Sequence, residues 1–120
     1  MSKMSRNKGQ RGEREVCDIL GEALGISLTR TLDQTRAGGC DILLDHWAIE
    51  VKRQETLSTD RWWVQACRQA KDINRHPILI YRKSRTPWLC RMPYSLEADP
   101  TTHYVHCDLE TLIKRLKREE

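Results

Sequence analysis

Asp41, Glu50 and Lys52 are the three residue types that phosphoryl-transfer chemistry combines, and they sit close along the chain. Two apolar-rich runs, Asp41–Leu44 and Trp47–Lys52, flank Asp45 and His46. That pattern predicts a tight β-hairpin with a two-residue loop, although His is not the Gly that usually takes the second loop position. In this register Leu44 faces Trp47, Leu43 faces Ala48, Ile42 faces Ile49 and Asp41 faces Glu50. Directly opposed residues share a sheet face, with Cβ atoms roughly 4.5–5.5 Å apart. Alternation brings Lys52 to that face as well. Asp41, Glu50 and Lys52 thus converge, while Ile42, Leu44, Trp47, Ile49 and Val51 point the other way.

Two opposed carboxylates repel, so a purely structural hairpin would avoid the pair. A hard divalent cation removes the conflict. Mg²⁺ is typically held by one or two carboxylates, with waters and phosphate oxygens completing its shell. A lysine beside such a site can orient a water or offset charge on a phosphate. The structural account is an ion triad in which Lys52 bridges both acids. Register decides the geometry, because a one-residue bulge would turn Asp41 to the other face. Glu13 lies three and four positions before Val16 and Cys17, on the apolar stripe of a predicted helix. It reads either as a further metal ligand, direct or through water, or as a first-turn acid favoured by the helix dipole.

The elements that must position these residues follow from periodicity. Glu13–Leu24 predicts a helix with Val16, Cys17, Leu20, Ala23 and Leu24 on one face, stopped by Gly25. Ile26–Leu32 predicts a strand and Asp33–Gly39 a loop. Asp60–Asn74, with Thr59 as N-cap, predicts a second helix that buries Trp63, Ala66, Cys67 and Ala70. Pro77–Arg82 and Pro87–Met92 predict neighbouring strands across a Lys83–Thr86 turn, and His103–Cys107 a short strand. Asp108 caps a last helix whose Leu109, Leu112, Ile113 and Leu116 repeat at helical spacing. The order is α-β-β-β-α-β-β-β-α, a mixed α/β domain.

At 120 residues the chain has the size of one domain, with 38% hydrophobic and 32% charged residues. No apolar run approaches the roughly 18 residues of a membrane-spanning helix. The basic N-terminus has no apolar segment behind it, so no secretory signal and no membrane partner are expected. Residues 1–11 read as a flexible basic arm and 12–120 as the domain. The net charge of +4 is carried by the first 14 residues, and the remainder balances at 16 bases and 16 acids. Further basic stretches run from Arg82 to Arg91 and from Lys114 to Arg118. Clustered bases on a small domain favour a polyanionic partner. Five widely spaced cysteines without a C-x-x-C indicate a reducing cytoplasm and buried thiols. Cys90, His103, His106 and Cys107 match no standard zinc spacing.

Asp41 followed by Glu50-Val51-Lys52 resembles the signature of the PD-(D/E)XK nucleases, with Cys40 in the place of the motif's proline. Lys8 to Glu15 resembles the opening helix of archaeal-type Holliday junction resolvases, and Glu13 matches the acid that joins the metal site there. Trp62-Trp63-Val64-Gln65-Ala66 and Pro77–Arg82 resemble the helix and strand that follow the signature in phage and bacterial members. The resemblance covers most of residues 8–92. It implies a restriction-endonuclease-like fold, a mixed central sheet flanked by helices. It implies Mg²⁺-dependent hydrolysis of DNA phosphodiester bonds, with Mn²⁺ able to substitute. Asp41, Glu50 and the Val51 carbonyl would hold the metal, Lys52 would position the attacking water, and Glu13 would support the site. Gln65 matches a glutamine that some members place beside the active lysine, and Gln69 is the competing choice. The implied substrate is branched DNA, the implied assembly a homodimer, and the implied setting the cytoplasm of a bacterium or phage-infected host. A nuclease acting on flaps, nicks or duplex, and a non-catalytic nucleic-acid-binding module of the same fold, are the alternatives.

Lys8, Arg11, Arg30 and Arg36 surround this segment in sequence and are expected to contact phosphates. Gly38-Gly39 would let backbone approach a phosphate closely, or simply turn the chain. Arg53, on the face opposite Lys52, is expected to pack or be solvated. Trp62, Trp63 and Trp88 could stack on exposed bases or form a dimer surface. For Trp63, core packing is the stronger reading.

Overall fold

The computed structural model describes residues 3–30 and 41–118, with side chains from Gly9 onward. Helix α1 spans Lys3–Leu24, β1 Ile42–Leu44, β2 Trp47–Arg53, α2 Thr59–Asp72, β3 His76–Arg82, β4 Leu89–Pro93, β5 Tyr104–Asp108 and α3 Leu109–Arg118. The stretch 1–11, expected as a flexible arm, is helical from Lys3 on. Lys8 and Arg11 therefore ride on the first turns of α1. The C-terminal stop falls where expected. Gly25 takes φ +70°, and the Ile26 N–H donates to the Gly21 carbonyl at 3.0 Å, a left-handed C-cap.

Ile26–Leu32 does not form the expected strand. Arg30 makes one isolated antiparallel bridge to Ile42, residues 27–29 have no regular structure, and 31–32 lie outside the described residues. The weak alternation there carries too few apolar side chains to hold a strand on the sheet. Arg36, Gly38, Gly39 and Cys40 also lie outside the described residues. The second helix starts one residue early, with Ser58 and not Thr59 at the N-cap.

The five strands stand in sequence order across one sheet. β1–β2, β3–β4 and β4–β5 pair antiparallel, while β2 and β3 are parallel and joined by the α2 crossover. Alternation along β2 divides the sheet. Ile49 and Val51 join Ile42, Ile78, Ile80 and Cys90 in the main core, under Val16 and Leu20 of α1 and Leu112 of α3. On the opposite face, α2 lays Trp62, Trp63 and Ala66 on Leu79 and Tyr81, and Ala70 on Ala48. Trp62, Trp63 and Trp88 are all buried, which removes them as base-stacking or dimer surfaces. Trp88 is fixed from α1: its indole N–H donates to Glu15 at 2.8 Å, and Arg82 pairs with the same carboxylate at 3.0 Å.

α1 reaches β2 at Gly12, where an added Cβ would lie 3.2 Å from the Arg53 Cβ. Arg53 thus packs against the helix, as expected for its face. Asp108 caps α3 as expected, accepting from the Thr111 N–H at 2.7 Å.

Candidate active site

The β1–β2 hairpin has the register the sequence predicts: Leu44↔Trp47, Leu43↔Ala48 and Ile42↔Ile49. Asp45 takes φ +51°, which lets the loop close in two residues. The ladder ends at Ile42, and Asp41 departs from it. In a continued ladder Asp41–Glu50 would be a non-bonded pair, with the Asp41 N–H turned away from β2. Instead that N–H donates to the Ile49 carbonyl at 3.1 Å. The strand bulges at Asp41, so the direct Asp41–Glu50 opposition gives way to a different approach.

The bulge delivers the Asp41 carboxylate to the edge of β2. β1 is three residues long and leaves the Val51 N–H beyond its end. Asp41 Oδ2 accepts from that N–H at 2.8 Å, in the place of the missing strand. A strand residue's N–H and C=O point to the same side, so the Val51 carbonyl faces this edge too. Glu50 and Lys52 share the α2 face, as alternation requires, and Lys52 Nζ lies 3.2 Å from Glu50 Oε2.

Glu13, Asp41 and Glu50 are each buried, at 8%, 5% and 5% exposure. Among the described residues no other carboxylate is. Taking carboxylates out of water is costly unless they are compensated, so three in one small domain need a reason. Cys17, one turn after Glu13, registers two of them. Burial first, then Asp18 and Glu13, push its thiol up to about 11, Arg30 opposes, and Asp41 adds to the rise. Cys17 is therefore within electrostatic reach of both α1 and the bulge. Its helical spacing from Glu13 was readable in advance.

Arg30, expected on DNA phosphates, lies 3.4 Å from Glu13 Oε2 across the bridge to Ile42. Nothing local in the sequence signals this long-range contact. Arg11 is exposed. Gln65 is exposed on α2 and makes no hydrogen bond among the described residues, whereas Gln69 is turned half inward. No side-chain hydrogen bond joins Gln65 to Lys52 among the described residues.

Among the described residues no three His, Cys, Asp or Glu side chains gather tightly enough to hold an ion. Glu13, Asp41 and Glu50 are therefore buried acids but not one three-carboxylate cluster. The Asp41 carboxylate and the Val51 backbone meet at the β2 edge, and Glu50 is the preceding residue of β2. That set fits a hard cation that keeps waters and takes substrate oxygens.

A mixed sheet covered by helices on both faces, with buried acids and a half-buried lysine at its hairpin edge, defines a PD-(D/E)XK nuclease. Residues 4–114 match the family described as "Phage putative PDDEXK endonuclease". The chain belongs to this family of phage PD-(D/E)XK endonucleases. It is 30% identical over 115 residues to Protein D14 of Escherichia phage T5, covering 76% of this chain and 72% of that one. Its fold is similar to that of Archaeoglobus fulgidus Hjc, a Holliday junction resolvase from an archaeal hyperthermophile. That match has a TM-score of 0.52 and 23% identity, over 90% of this chain and 93% of Hjc. The restriction-endonuclease-like fold expected from the sequence is thereby established. No helix among the described residues is long and apolar enough to cross a membrane.

Proposed function

We propose that this nuclease is a Mg²⁺-dependent endodeoxyribonuclease that cuts branched DNA and works as a homodimer. The observation that carries the reading is the burial of Asp41 and Glu50 beside Lys52 at the open edge of β2. The substrate class and the dimer draw support from the likeness to Hjc, and a two-fold enzyme suits a junction with two symmetric scissile strands.

Asp41, Glu50 and the Val51 carbonyl are the residues that would hold the metal, with Mn²⁺ a workable substitute. The bound ion would supply charge stabilisation on the phosphate and a more acidic water. Lys52, oriented by Glu50, donates toward the attacking water or a phosphate oxygen. The water oxygen forms the new bond to phosphorus, the bond to the leaving oxygen breaks, and that oxygen takes up a proton. Glu13, held by Arg30, acts from α1 through the shape and charge of the pocket around Cys17. Lys8 and Arg11 contact phosphates from the first turns of α1.

The test is incubation with a labelled four-way junction, a flap and a linear duplex, each with Mg²⁺ and with EDTA. Mg²⁺-dependent cleavage that favours the junction is expected. No Mg²⁺-dependent cleavage of any substrate would end the enzymatic reading, and equal rates on duplex and junction would end the branched-DNA reading.

A further inference from the structure

A cleft of about 620 Å³ opens between α2, the start of β3 and the segment after β4. None of Glu13, Asp41, Glu50 or Lys52 lines it. Its floor and one wall come from α2, where Val64, Cys67, Arg68 and Lys71 recur at i, i+3, i+4 and i+7 and so share one helix face. The opposite wall is the segment after β4, including Leu96 and Pro100. Pro77 and Pro93 close the end.

The chemistry of the lining is divided. Apolar side chains line much of the walls, Val64 and Leu96 each 45% exposed, beside the polar Asn74, His76, Ser95 and Thr101. The rim is cationic. Arg68 and Lys71 are exposed, and neither forms a salt bridge among the described residues. Arg75, held by its bond to the Asp45 carbonyl at 2.8 Å, is a further cation of the lining. Asp99 is the acid of the lining, and it is occupied within its own loop by the Thr101 N–H and hydroxyl at 3.0 and 2.7 Å. Those two bonds, the hydroxyl's first, hold its carboxyl below the usual range, and His103 and Lys71 add to the effect, so Asp99 stays an acceptor with Lys71 in its electrostatic reach. Cys67 is no nucleophile here, since burial first and Asp99 second push its thiol up to about 12.

A cleft of this size with apolar walls, a few fixed polar groups and a cationic rim fits a small flat ligand with an anionic end. We infer that it is a second, non-catalytic site for a nucleoside phosphate, the base between the apolar walls and the phosphate against Arg68 and Lys71. The ligand could come from an unpaired nucleotide of a DNA strand or from a free nucleotide. The strand source rests on the nuclease reading, whereas the recognition chemistry does not.

The test titrates the full chain in EDTA, so that no strand is cut, with dAMP, with inorganic phosphate and with a fluorescent short oligothymidylate. Saturable dAMP binding at least about tenfold tighter than phosphate is expected, a gap of about 1.4 kcal/mol. The double variant R68E/K71E should weaken dAMP and oligonucleotide binding by about tenfold or more, while E110Q, exposed on α3 and outside the cleft, should leave both unchanged. V64W, at an exposed wall position, should block the cleft without altering charge and serves if the double variant is poorly folded. Loss of both ligands means that free nucleotides and strands share the site, and loss of the oligonucleotide alone identifies the strand. Nucleotide binding no tighter than phosphate, or affinities unmoved by either variant, would overturn the site. Cleavage plays no part in these measurements, so a failure of the nuclease reading would leave them interpretable.

Discussion

Buried charge occurs at two places in this sheet, and the two are built differently. On the hairpin side the buried groups are three acids, Glu13, Asp41 and Glu50, delivered by three separate elements and not gathered into one cluster. At the far end of the sheet the buried group is one cation, Arg91. Its guanidinium sits 4.2 Å from the Tyr104 ring centroid and 5.9 Å from that of Trp63, and pairs at 3.0 Å with Asp60, which is 90% exposed. Arg91 is thus wrapped in π-faces and tied to an acid that remains in water. That is how a fold accommodates a charge it uses for packing. The hairpin side instead buries like charges, an arrangement that packing alone disfavours.

The sharpest way to break this contrast is at the edge. Asp41→Asn keeps an acceptor for the Val51 N–H but removes the charge, and Glu50→Gln is the matching change on β2. Each, with Lys52→Ala, should lower single-turnover junction cleavage by about 10²-fold or more. Melting temperature and junction binding in EDTA should change little. If Lys52→Ala unfolds the protein, the three residues form a structural triad and the contrast fails. Arg91→Ala should do the converse. Loss of its packing between Trp63 and Tyr104 should cost about 2–3 kcal/mol in urea denaturation, with the cleavage rate per folded molecule unchanged.

The same contrast runs within α1, where Glu13 and Glu15 lie two residues apart and serve different ends. Glu15 clamps the helix to Trp88 and Arg82, and Glu13 faces Arg30 and the neighbourhood of Cys17. Trp88→Phe keeps an aromatic ring, trims the indole and removes one bond to Glu15. About 1–3 kcal/mol of stability should be lost, and cleavage should fall by less than for any edge variant. A cleavage loss as large as that of Asp41→Asn would show that the clamp, and not the acids, limits the chemistry.

The sequence made the hairpin legible because a two-residue loop fixes register, and register fixes which side chains share a face. Leu44↔Trp47 through Ile42↔Ile49 followed from that alone. Asp41 did not, because a bulge depends on what the strand meets at its end, here the Val51 N–H left uncovered by a short β1. The start of α1 was missed for a related reason. Residues 3–12 carry little apolar periodicity, so charge and Gly9 suggested an arm where the chain is helical. Trp62 was misjudged because β2 and β3 together accept a wider face of α2 than one apolar stripe indicates. Glu13–Arg30 spans two elements, and no local pattern encodes it.

The smallest effect probes a carboxylate that is neither buried nor catalytic. Asp108 caps α3, and bonds from Thr111, its hydroxyl first and then its N–H, hold the Asp108 carboxyl below its ordinary range. A carboxyl whose folded pKa is depressed contributes stability that is fully present above its unfolded value, near 4. That contribution is lost as pH falls through the lower folded value. Asp108→Asn retains a capping oxygen without the charge. Melting temperatures of the two proteins should therefore differ modestly at neutral pH, with the parent higher, and converge as the solution is acidified below the carboxylate range. A gap that persists unchanged in acid would mean that the cap works through hydrogen-bond geometry and not charge. The buried acids at the edge would then be the sites in this fold where carboxylate ionisation matters.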